Sequence, residues 1–338
     1  MNKKQIIIGS VLCLIASMSW GAMFPVAQVA LQKIDPFYFS FIRYAVVAVI
    51  LSAILWVKEG LAAFRLEGKG KALVFYGTMA FTVYNMFIFS GQYLMGDTGT
   101  ITASLIEVLM PMISILYVWI TAKAKPPRYT IVSMILCLAG ALLVITNGKL
   151  AFFAMAGKSL FPLLLIFIGV TGWVLYSMGG SRFKDWSVLR YSTLTCLLGS
   201  LVSLAIVSFA TLLGLLPAPS IETLSSVKWE MAFMITLPGI VALLSWNAGL
   251  KMLTPLNGIL YINFVPITTL IIMAFQGYHV SMFEIYGTLL VIFAIVRNNL
   301  VQRKRHKERQ EPAERKARIH GAASSPATGK AQTNRSVL

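Results

Sequence analysis

The sequence predicts an all-α polytopic membrane protein with ten transmembrane helices arranged as two inverted five-helix repeats. Three observations predict this class. Of the 338 residues, 57% are hydrophobic and 12% are charged, whereas about 25% are charged in a typical soluble domain. The chain contains ten apolar stretches close to the roughly 20 residues that cross a bilayer. Segments of the two halves of the chain also resemble each other.

The ten predicted spans follow one another with short polar loops between them. The first span follows Lys3 and Lys4, as the core of a signal peptide would, but its apolar run is far longer than the roughly 7–15 residues of such a core. We therefore expect it to remain as a transmembrane helix. The predicted spans are 6–30, 37–57, 72–94, 99–121, 130–147, 160–178, 191–216, 230–250, 257–275 and 284–301.

Basic residues are concentrated in alternate loops, which predicts the orientation of the chain. Loops that face the cytoplasm are enriched in Lys and Arg, so both termini are expected on the cytoplasmic side of the cell membrane. The net charge of +17 then faces the anionic inner leaflet, and no nucleic-acid partner is needed to explain it. The basic residues of these loops include Lys58, Arg65, Lys69, Lys71, Lys123, Lys125, Arg128, Arg182, Lys184 and Arg190.

Residues 302–338 are hydrophilic and rich in charge, and they predict a disordered basic tail in the cytoplasm. The three cysteines, Cys13, Cys137 and Cys196, lie inside predicted spans without a CxxC neighbour. The histidines show no spacing typical of metal ligands. No metal and no cofactor are therefore predicted.

An internal repeat is visible in the fourth and ninth spans, "ASLIEVLMPMISILY" and "GILYINFVPITTLII". Each has a polar residue, Glu107 or Asn263, shortly before a proline, Pro111 or Pro266, and the prolines are 155 residues apart. Transporters are often built from two such repeats.

Five spans in each half is an odd number, so the second half enters the membrane from the opposite side. This predicts inverted repeats and a site between them. The expected units are residues 1–148 and 149–301, followed by the tail.

The stretches "SMSWGAMFPVAQVAL" and "PFYFSFIRYAVVAVIL" place Trp-Gly before a proline and an arginine before an aromatic residue. With the repeat above, residues 6–301 resemble two EamA-type units of the drug/metabolite transporter superfamily. The resemblance implies a carrier of small metabolites, often an exporter of amino acids or related compounds. A Gly-Glu pair frequent in that family at the ends of helices 4 and 9 is missing from "TAKAKPPR" and "FQGYHVS".

Glu107 is the acidic residue that the sequence places deepest in the membrane, about 13 Å from the outer end of its span at 1.5 Å per residue. Ser104 and Pro111 share its helix face. We expect Pro111 to free the carbonyl group of Glu107. Arg43 is the natural counter-charge at a similar depth. A structural ion pair, a substrate-binding or coupling role for Glu107, and simple hydration all remain possible.

A second polar stripe lies in the third span and contains Thr82 and Asn85. Its side chains either line a pocket or form interhelical hydrogen bonds. Trp20, which precedes a glycine, and Trp173 are candidates for an aromatic wall. The other candidate site residues are Glu107, Arg43, Ser104, Pro111, Asn263 and Pro266.

These features predict a secondary transporter, not an enzyme, that lies in the lipid bilayer as a monomer or homodimer. It would export amino acids or related small-molecule substrates by alternating access. One alternative is a carrier of sugars or nucleotide derivatives, which would need more basic groups facing inward. A membrane-embedded enzyme of lipid metabolism would need a His, Asp or Glu cluster at one membrane face, which the sequence lacks. A scaffold or sensor would not require the repeat.

Overall fold

The computed structural model describes residues 3–123, 125, 127–146, 148, 156–253, 255–294, 296, 297, 300 and 301. These residues form helices, turns and short connections without a β-strand. The all-α class predicted from the sequence is confirmed for this part of the chain. The predicted tail, residues 302–338, lies outside the described residues.

The described helices form a bundle, and eight of them are long and apolar enough to cross a membrane. Two shorter apolar helices, Arg128–Val144 and Met282–Ala294, lie at the positions of the fifth and tenth predicted spans. A count of ten spans therefore stays a prediction. In chain order the helices are α1 (Lys3–Leu31), α2 (Pro36–Glu59), α3 (Gly70–Leu94), α4 (Gly99–Thr121), α5 (Arg128–Thr146), α6 (Ala156–Gly179), α7 (Val188–Leu212), α8 (Lys228–Leu253), α9 (Pro255–Phe275) and α10 (Met282–Ala294).

Two helix starts show how local sequence sets these boundaries. Asp35 caps α2 by accepting a hydrogen bond from the backbone N–H of Phe37 at 2.8 Å, and Pro36 occupies the first turn, where no backbone donor is needed. Ser187 caps α7 in the same way and accepts from the N–H of Arg190 at 2.9 Å. Each cap follows a loop in which the chain reverses direction.

Four irregular segments interrupt the spanning helices at corresponding places in the two halves. The third helix of each half contains a π-helical segment, and the fourth contains a 3₁₀ segment just before its proline. Such interruptions are often found at functional sites because they release backbone groups and redirect side chains. The segments are Thr78–Tyr84, Glu107–Leu109, Ile235–Val241 and Ile259–Asn263.

Helices of one half pack mainly on helices of the other. Helix α1 packs on α8 and α9, and α6 correspondingly packs on α3 and α4. Helix α2 packs on α7, and α4 packs on α9. The same pairing therefore results when the two halves are exchanged, as expected for two copies of one unit arranged around an axis through the bundle.

The two halves approach each other closely where α3 and α7 meet at two glycines. A Cβ atom on Gly77 would meet the backbone carbonyl of Thr195, and one on Gly199 would meet the backbone carbonyl of Gly77. Only glycine allows backbones to come this close. The two halves are thus in direct backbone contact near the cytoplasmic side predicted from the sequence.

Candidate functional site

The carboxyl group of Glu107 is buried in the middle of the bundle, with 1% of the residue exposed. One of its oxygens accepts a hydrogen bond from the phenol of Tyr84 on α3. The other, Oε2, has no partner among the described residues. Glu107 lies at the start of the 3₁₀ segment of α4, which turns its side chain toward α3.

The prediction that Pro111 frees the carbonyl group of Glu107 is wrong. The backbone N–H of Met110 donates to this carbonyl because the chain switches to 3₁₀ hydrogen bonding there. The irregular segment therefore compensates for the N–H that proline lacks. Pro111 itself lines a small cleft beside Val108 and Met112.

Arg43 is fully buried on α2 and has partners other than Glu107. Its Nε donates to the carbonyl of Met234 at 3.1 Å, and its Nη1 lies 3.4 Å from the Oδ1 atom of Asn85. Its guanidinium also lies over the ring of Tyr44, 4.6 Å from the centroid. Among the described residues Arg43 and Glu107 form no ion pair with each other, because neighbouring positions of α3 provide each with its own neutral partner.

The acceptor for Arg43 lies four residues before a proline in the π-helical segment of α8. Pro238 has no N–H to donate to the carbonyl of Met234 as a regular α-helix would, and this oxygen accepts from Nε of Arg43. The same arrangement occurs in α1, where Pro25 lies four residues after Gly21, and the carbonyl of Gly21 accepts from the hydroxyl of Thr269 at 2.8 Å. Prolines thus create acceptors that join helices.

Three indole rings meet at the centre of the bundle. The ring of Trp20 on α1 contacts that of Trp173 on α6 at a centroid distance of 4.9 Å, and that of Trp246 on α8 at 5.1 Å. Both contacts are edge-on, a favourable geometry for aromatic pairs. Trp173 also lies 5.0 Å from the ring of Tyr84, so the cluster reaches the partner of Glu107.

The indole N–H groups of this cluster are not equivalent. That of Trp20 donates to the carbonyl of Pro238 at 3.1 Å, and that of Trp246 donates to the hydroxyl of Ser177 at 3.0 Å. The Nε1 atom of Trp173 is buried without a partner in the described part of the chain. Nη2 of Arg43, a donor, and Oε2 of Glu107, an acceptor, are likewise buried without a described partner.

A polar layer lies next to the aromatic cluster. The side-chain nitrogen of Asn247 donates to the hydroxyl of Tyr176 at 2.7 Å and to that of Ser192 at 2.8 Å. The ring of Tyr176 lies 5.2 Å from that of Trp173. A continuous series of contacts therefore runs from Glu107 through the aromatic cluster to Asn247 on α8.

A cavity of about 490 Å³ begins where this series ends. It lies between the end of α6, the loop after it, the start of α7 and the end of α8. This volume falls in the range of about 300–1,000 Å³ typical of small-molecule sites. Its lining includes Ser177, Lys184, Trp186, Tyr191, Asn247 and Lys251.

The opposite end of the bundle is closed by side-chain amides. The Nε2 atom of Gln92 on α3 donates to the carbonyl of Phe24 at 2.9 Å and lies 3.2 Å from Oε1 of Gln28 and 3.1 Å from the hydroxyl of Thr100. Gln28 in turn donates to the carbonyl of Gly96 at 3.2 Å. We call these residues the amide cluster.

Helix α1 shows that the cavity and the amide cluster lie at opposite ends. Gly9, near its start, touches Gly249 at the cavity end of α8. Gln28, near its end, belongs to the amide cluster. The two residues are 19 positions apart, which corresponds to about 28 Å at 1.5 Å per residue. Trp20 lies between them, at the middle of the bundle.

A hydrogen-bonded cluster at the cavity mouth connects the two halves. Arg190 forms an ion pair with Glu67 at 2.7 Å and stacks 3.9 Å over the ring of Trp186, whose N–H also donates to Glu67 at 2.9 Å. Hydrogen bonds from Arg190 and Trp186 lower the pKa of the Glu67 carboxyl below its ordinary value. In this mouth cluster, Glu67 and Trp186 lie in loops outside the spanning helices, and Arg190 lies in the first turn of α7.

The remaining predicted site residues form no hydrogen bond with Glu107 in the described part of the chain. The hydroxyl of Thr82 donates to the carbonyl of Gly199 on α7 at 2.9 Å, an interhelical bond. Ser104 donates to its own helix. Asn263 donates to the carbonyl of Leu260, its Oδ1 has no described partner, and Pro266 is buried in α9.

Tyr84, Ser177 and Asn247 are functional candidates that the sequence analysis did not single out as such. Tyr84 was visible as an aromatic residue of the third span, but its contact with Glu107 depends on how α3 and α4 pack. Asn247 is a polar residue within a predicted apolar span, and this signal was available in the sequence. Within the described residues, no group of His, Cys, Asp or Glu is arranged to hold a metal ion.

The protein has spanning helices that pack across two halves, a polar centre and a cavity at one end. These are the features of a multi-pass membrane transporter. The chain belongs to the EamA-like transporter family, whose model matches residues 7–146 and again residues 160–300. This confirms the resemblance inferred from the sequence.

Known relatives support the same class. The chain is 54% identical over 304 residues to "Uncharacterized transporter YrdR" of Bacillus subtilis (strain 168), which covers 90% of this chain and 95% of that protein. It is 27% identical to "Uncharacterized transporter YyaM" of the same organism, over 82% of this chain and 88% of that protein. A solved structure titled "Crystal structure of protein" shares the fold, with a TM-score of 0.66 and 17% identity over 88% of this chain and 98% of that chain.

Proposed function

We propose that this protein is a secondary transporter that moves small amphipathic metabolites, such as amino acids, out of the cell by alternating access. In this proposal ten spans form two inverted repeats, and both termini lie in the cytoplasm. The cavity then opens to the cytoplasm, because the loops around it carry Arg182, Lys184 and Arg190. The amide cluster closes the outer end.

The observation that carries the proposal is the half-satisfied carboxyl group of Glu107. A charged side chain at this depth costs at least about 3 kcal/mol in a bilayer unless it is paired or hydrated. Tyr84 occupies one oxygen, and Oε2 is left without a described partner. A proton or the ammonium group of a substrate would satisfy it. The aromatic cluster between Glu107 and the cavity suits the apolar body of such a solute.

The symmetry of the centre supports alternating access. Trp20 and Trp173 are 153 residues apart, close to the spacing of the repeated prolines, and their rings touch. They occupy corresponding places in α1 and α6, at the middle of the proposed path. A rearrangement that opened one end and closed the other would exchange the surroundings of these two indole rings.

Counterflow in proteoliposomes tests the proposal directly. Full-length protein is reconstituted, the vesicles are loaded with single unlabelled amino acids, and uptake of the same labelled amino acid is followed. We expect counterflow for at least one amphipathic amino acid and none in empty vesicles. Absence of counterflow for the whole panel would count against an amino-acid carrier.

Glu107→Gln tests the role of the carboxyl group, because it keeps the size and polarity of the side chain but cannot bind a proton or pair with a cation. We expect loss of accumulation driven by an imposed pH gradient, while downhill exchange is retained. Glu222→Gln is the matched control, since Glu222 is an exposed acid in the short helix Ile221–Ser226 between α7 and α8. Gradient-driven accumulation by Glu107→Gln equal to that of the parent would exclude Glu107 as the coupling site.

A second candidate, a carrier of sugar or nucleotide derivatives, gains support from one observation. Lys184 and Lys251 line the cavity and provide basic groups beyond Arg43. Nucleotide sugars and sugar phosphates therefore belong in the same counterflow panel. Exchange of these solutes without exchange of amino acids would favour this candidate.

A further inference from the structure

We propose that the cavity at the cytoplasmic end, here called the vestibule, binds the carboxylate group of an amphipathic solute through Lys251 and Lys184. Its apolar body would lie against Trp186 and Tyr191. The inference deepens the proposed function and rests on it in one respect, namely that the bound anion is the cargo. It assigns the first binding site that the solute meets.

The lysines give the vestibule its charge. Lys184 follows α6 and Lys251 lies near the end of α8, and both belong to the lining, which contains no acidic residue among those described. The Nζ atom of Lys251 donates to the carbonyl of Trp186 at 2.7 Å. This bond holds the ammonium group at the wall and uses one of its three N–H donors, so two remain for a ligand.

Three acidic residues lie near the vestibule, and none of them belongs to its lining. Glu67 forms an ion pair with Arg190, and Glu59 accepts from the hydroxyl of Ser187 at 2.6 Å. Asp185 follows Lys184 in the loop and is exposed. The charged groups of the lining itself are therefore all positive.

An aromatic wall faces the lysines. Phe183, Trp186 and Tyr191 are each at most 5% exposed, and the ring of Phe183 lies 5.2 Å from that of Trp186 and 5.1 Å from that of Tyr191. Because the rings pack on one another and Arg190 covers one face of Trp186, only their small exposed parts can contact a ligand. These parts are suited to a hydrocarbon or aromatic body, whereas a small inorganic anion would leave them unused. The wall therefore selects a solute that carries both an anionic group and an apolar part.

The deep end of the vestibule provides an acceptor. Both hydrogens of the Asn247 amide are donated to Tyr176 and Ser192. Its Oδ1 atom accepts no hydrogen bond from the described residues and is available to an ammonium or hydroxyl group of the solute. An α-amino acid, with its carboxylate at the lysines and its ammonium group turned inward, fits this polarity.

An anionic lipid headgroup offers the same charge, but the walls favour a soluble solute. The deepest lining residues, Ser177 and Asn247, are 1% and 8% exposed and face the centre of the bundle. Ser177 accepts from Trp246, which touches Trp20. The vestibule thus leads toward the aromatic cluster.

The test measures binding separately from transport. Full-length protein in phosphatidylcholine nanodiscs is titrated with a ring-fluorinated phenylpropanoate, and binding is followed by fluorine NMR. The neutral phenylpropanamide of the same shape is the matched probe. We expect the carboxylate to bind at least about tenfold more tightly, which corresponds to about 1.4 kcal/mol. Equal affinities would overturn the proposal.

Charge variants locate the site. Lys251→Gln is expected to raise the Kd of the carboxylate about tenfold and to leave that of the amide unchanged. Lys251→Arg should restore binding, and Lys184→Gln should weaken it to a smaller extent. Lys58→Gln is the control, because Lys58 is an exposed lysine outside the vestibule lining. An unchanged Kd in both Lys251→Gln and Lys184→Gln would overturn the assignment.

Two further measurements separate the remaining outcomes. Displacement of the probe by phosphatidylglycerol at a few per cent of the nanodisc lipid would assign the site to a headgroup and overturn the proposal. Amino-acid counterflow is measured on the same variants. Carboxylate binding that needs Lys251, without counterflow, would contradict only the transport proposal. Counterflow that ignores both lysines would contradict only the vestibule.

Discussion

The two ends of the bundle are built from corresponding parts of the two halves, yet one is closed and the other is open. At the closed end Gln92 joins α1, α3 and α4 through its amide. Gly91 and Gly249 occupy corresponding places, because a Cβ atom on Gly91 would meet Pro162 on α6 and one on Gly249 would meet Gly9 on α1. The next residue is Gln92 at the closed end and Leu250, which has no amide, at the open end. Gly249 packs against Gly9, and the vestibule lies beside it.

This difference indicates that the open end is not merely the closed end in another state. The amide of Gln92, which closes one end, has no counterpart at the other end. The state with the outer end closed and the state with the cytoplasmic end closed should therefore differ in free energy. We expect the protein at rest to keep its vestibule open and its amide cluster closed. The solute would then have to supply the interactions that close the vestibule.

The largest expected effect concerns which end faces which side. The described cysteines are buried, so single cysteines introduced at Thr98 and Ser181 report on one exposed site at a time. A membrane-impermeant maleimide added to intact cells should label Thr98→Cys fully and Ser181→Cys only after the cells are opened. The reverse labelling pattern would place the vestibule on the outer side of the membrane and contradict the proposed orientation.

The next effect concerns packing at the closed end. A Cβ atom on Gly99 would collide with the backbone carbonyl of Gln92, whereas one on Gly180 at the open end would make ordinary contact with Tyr191, at 3.5 Å. Gly99→Ala should therefore lower the free energy of unfolding by about 1–3 kcal/mol. Gly180→Ala should change it by less than about 0.5 kcal/mol.

Thermal unfolding of the purified variants measures this difference. Parent, Gly99→Ala and Gly180→Ala are compared in the same detergent. Equal losses in the two variants would show that the closed end is no more tightly packed than the open one.

A comparable or somewhat smaller effect is expected when the amide cluster loses its central side chain. Gln92→Leu keeps the bulk but removes the donor to Phe24, Gln28 and Thr100, and unsatisfied buried groups cost about 1–3 kcal/mol. The variant should be less stable and should admit the maleimide to a cysteine at Ala103 from the outside. Gln276→Leu, at an exposed position, is the control. Unchanged labelling would show that the amide does not seal this end.

The smallest effect concerns the mouth cluster. The pKa of Glu67 is lowered in the folded protein, so its stabilising contribution is complete above the ordinary carboxyl pKa and is lost as the pH falls through the lowered value. Glu67→Gln should therefore be slightly less stable than the parent at neutral pH, and the two should converge in acid. Thermal unfolding at both pH values measures this. A difference that persists in acid would point to lost packing.

The sequence was sufficient for the all-α class and for two of the four interruptions, those just before Pro111 and Pro266. Apolar length predicts helices, and Pro111 and Pro266 mark places where a regular helix cannot continue. The response of the backbone was not predictable, because a 3₁₀ turn, a kink and a free carbonyl all follow from the same proline. The π-helical segment Thr78–Tyr84 contains no proline at all and had no sequence signal.

The site was predictable in part, for a similar reason. A carboxylate in an apolar span predicts Glu107 as a candidate functional residue. The assignment of Arg43 as its counter-charge failed, because depth along a helix does not determine which side chains face each other. Tyr84 and Asn85, adjacent in sequence, turn toward different neighbours. The vestibule is formed by helix ends and a loop, where periodicity carries no information.

Arg43 has an electrical consequence. Its guanidinium is fully buried in the bundle. The groups that it contacts on α3 and α8 are neutral, so no described acidic residue cancels its charge locally. A voltage of 100 mV changes the energy of one charge that crosses the whole membrane by about 2.3 kcal/mol. A rearrangement that carried Arg43 through a tenth of that field would be biased by about 0.2 kcal/mol. An interior negative voltage would thus favour one of the two configurations even when the cargo itself carries no net charge.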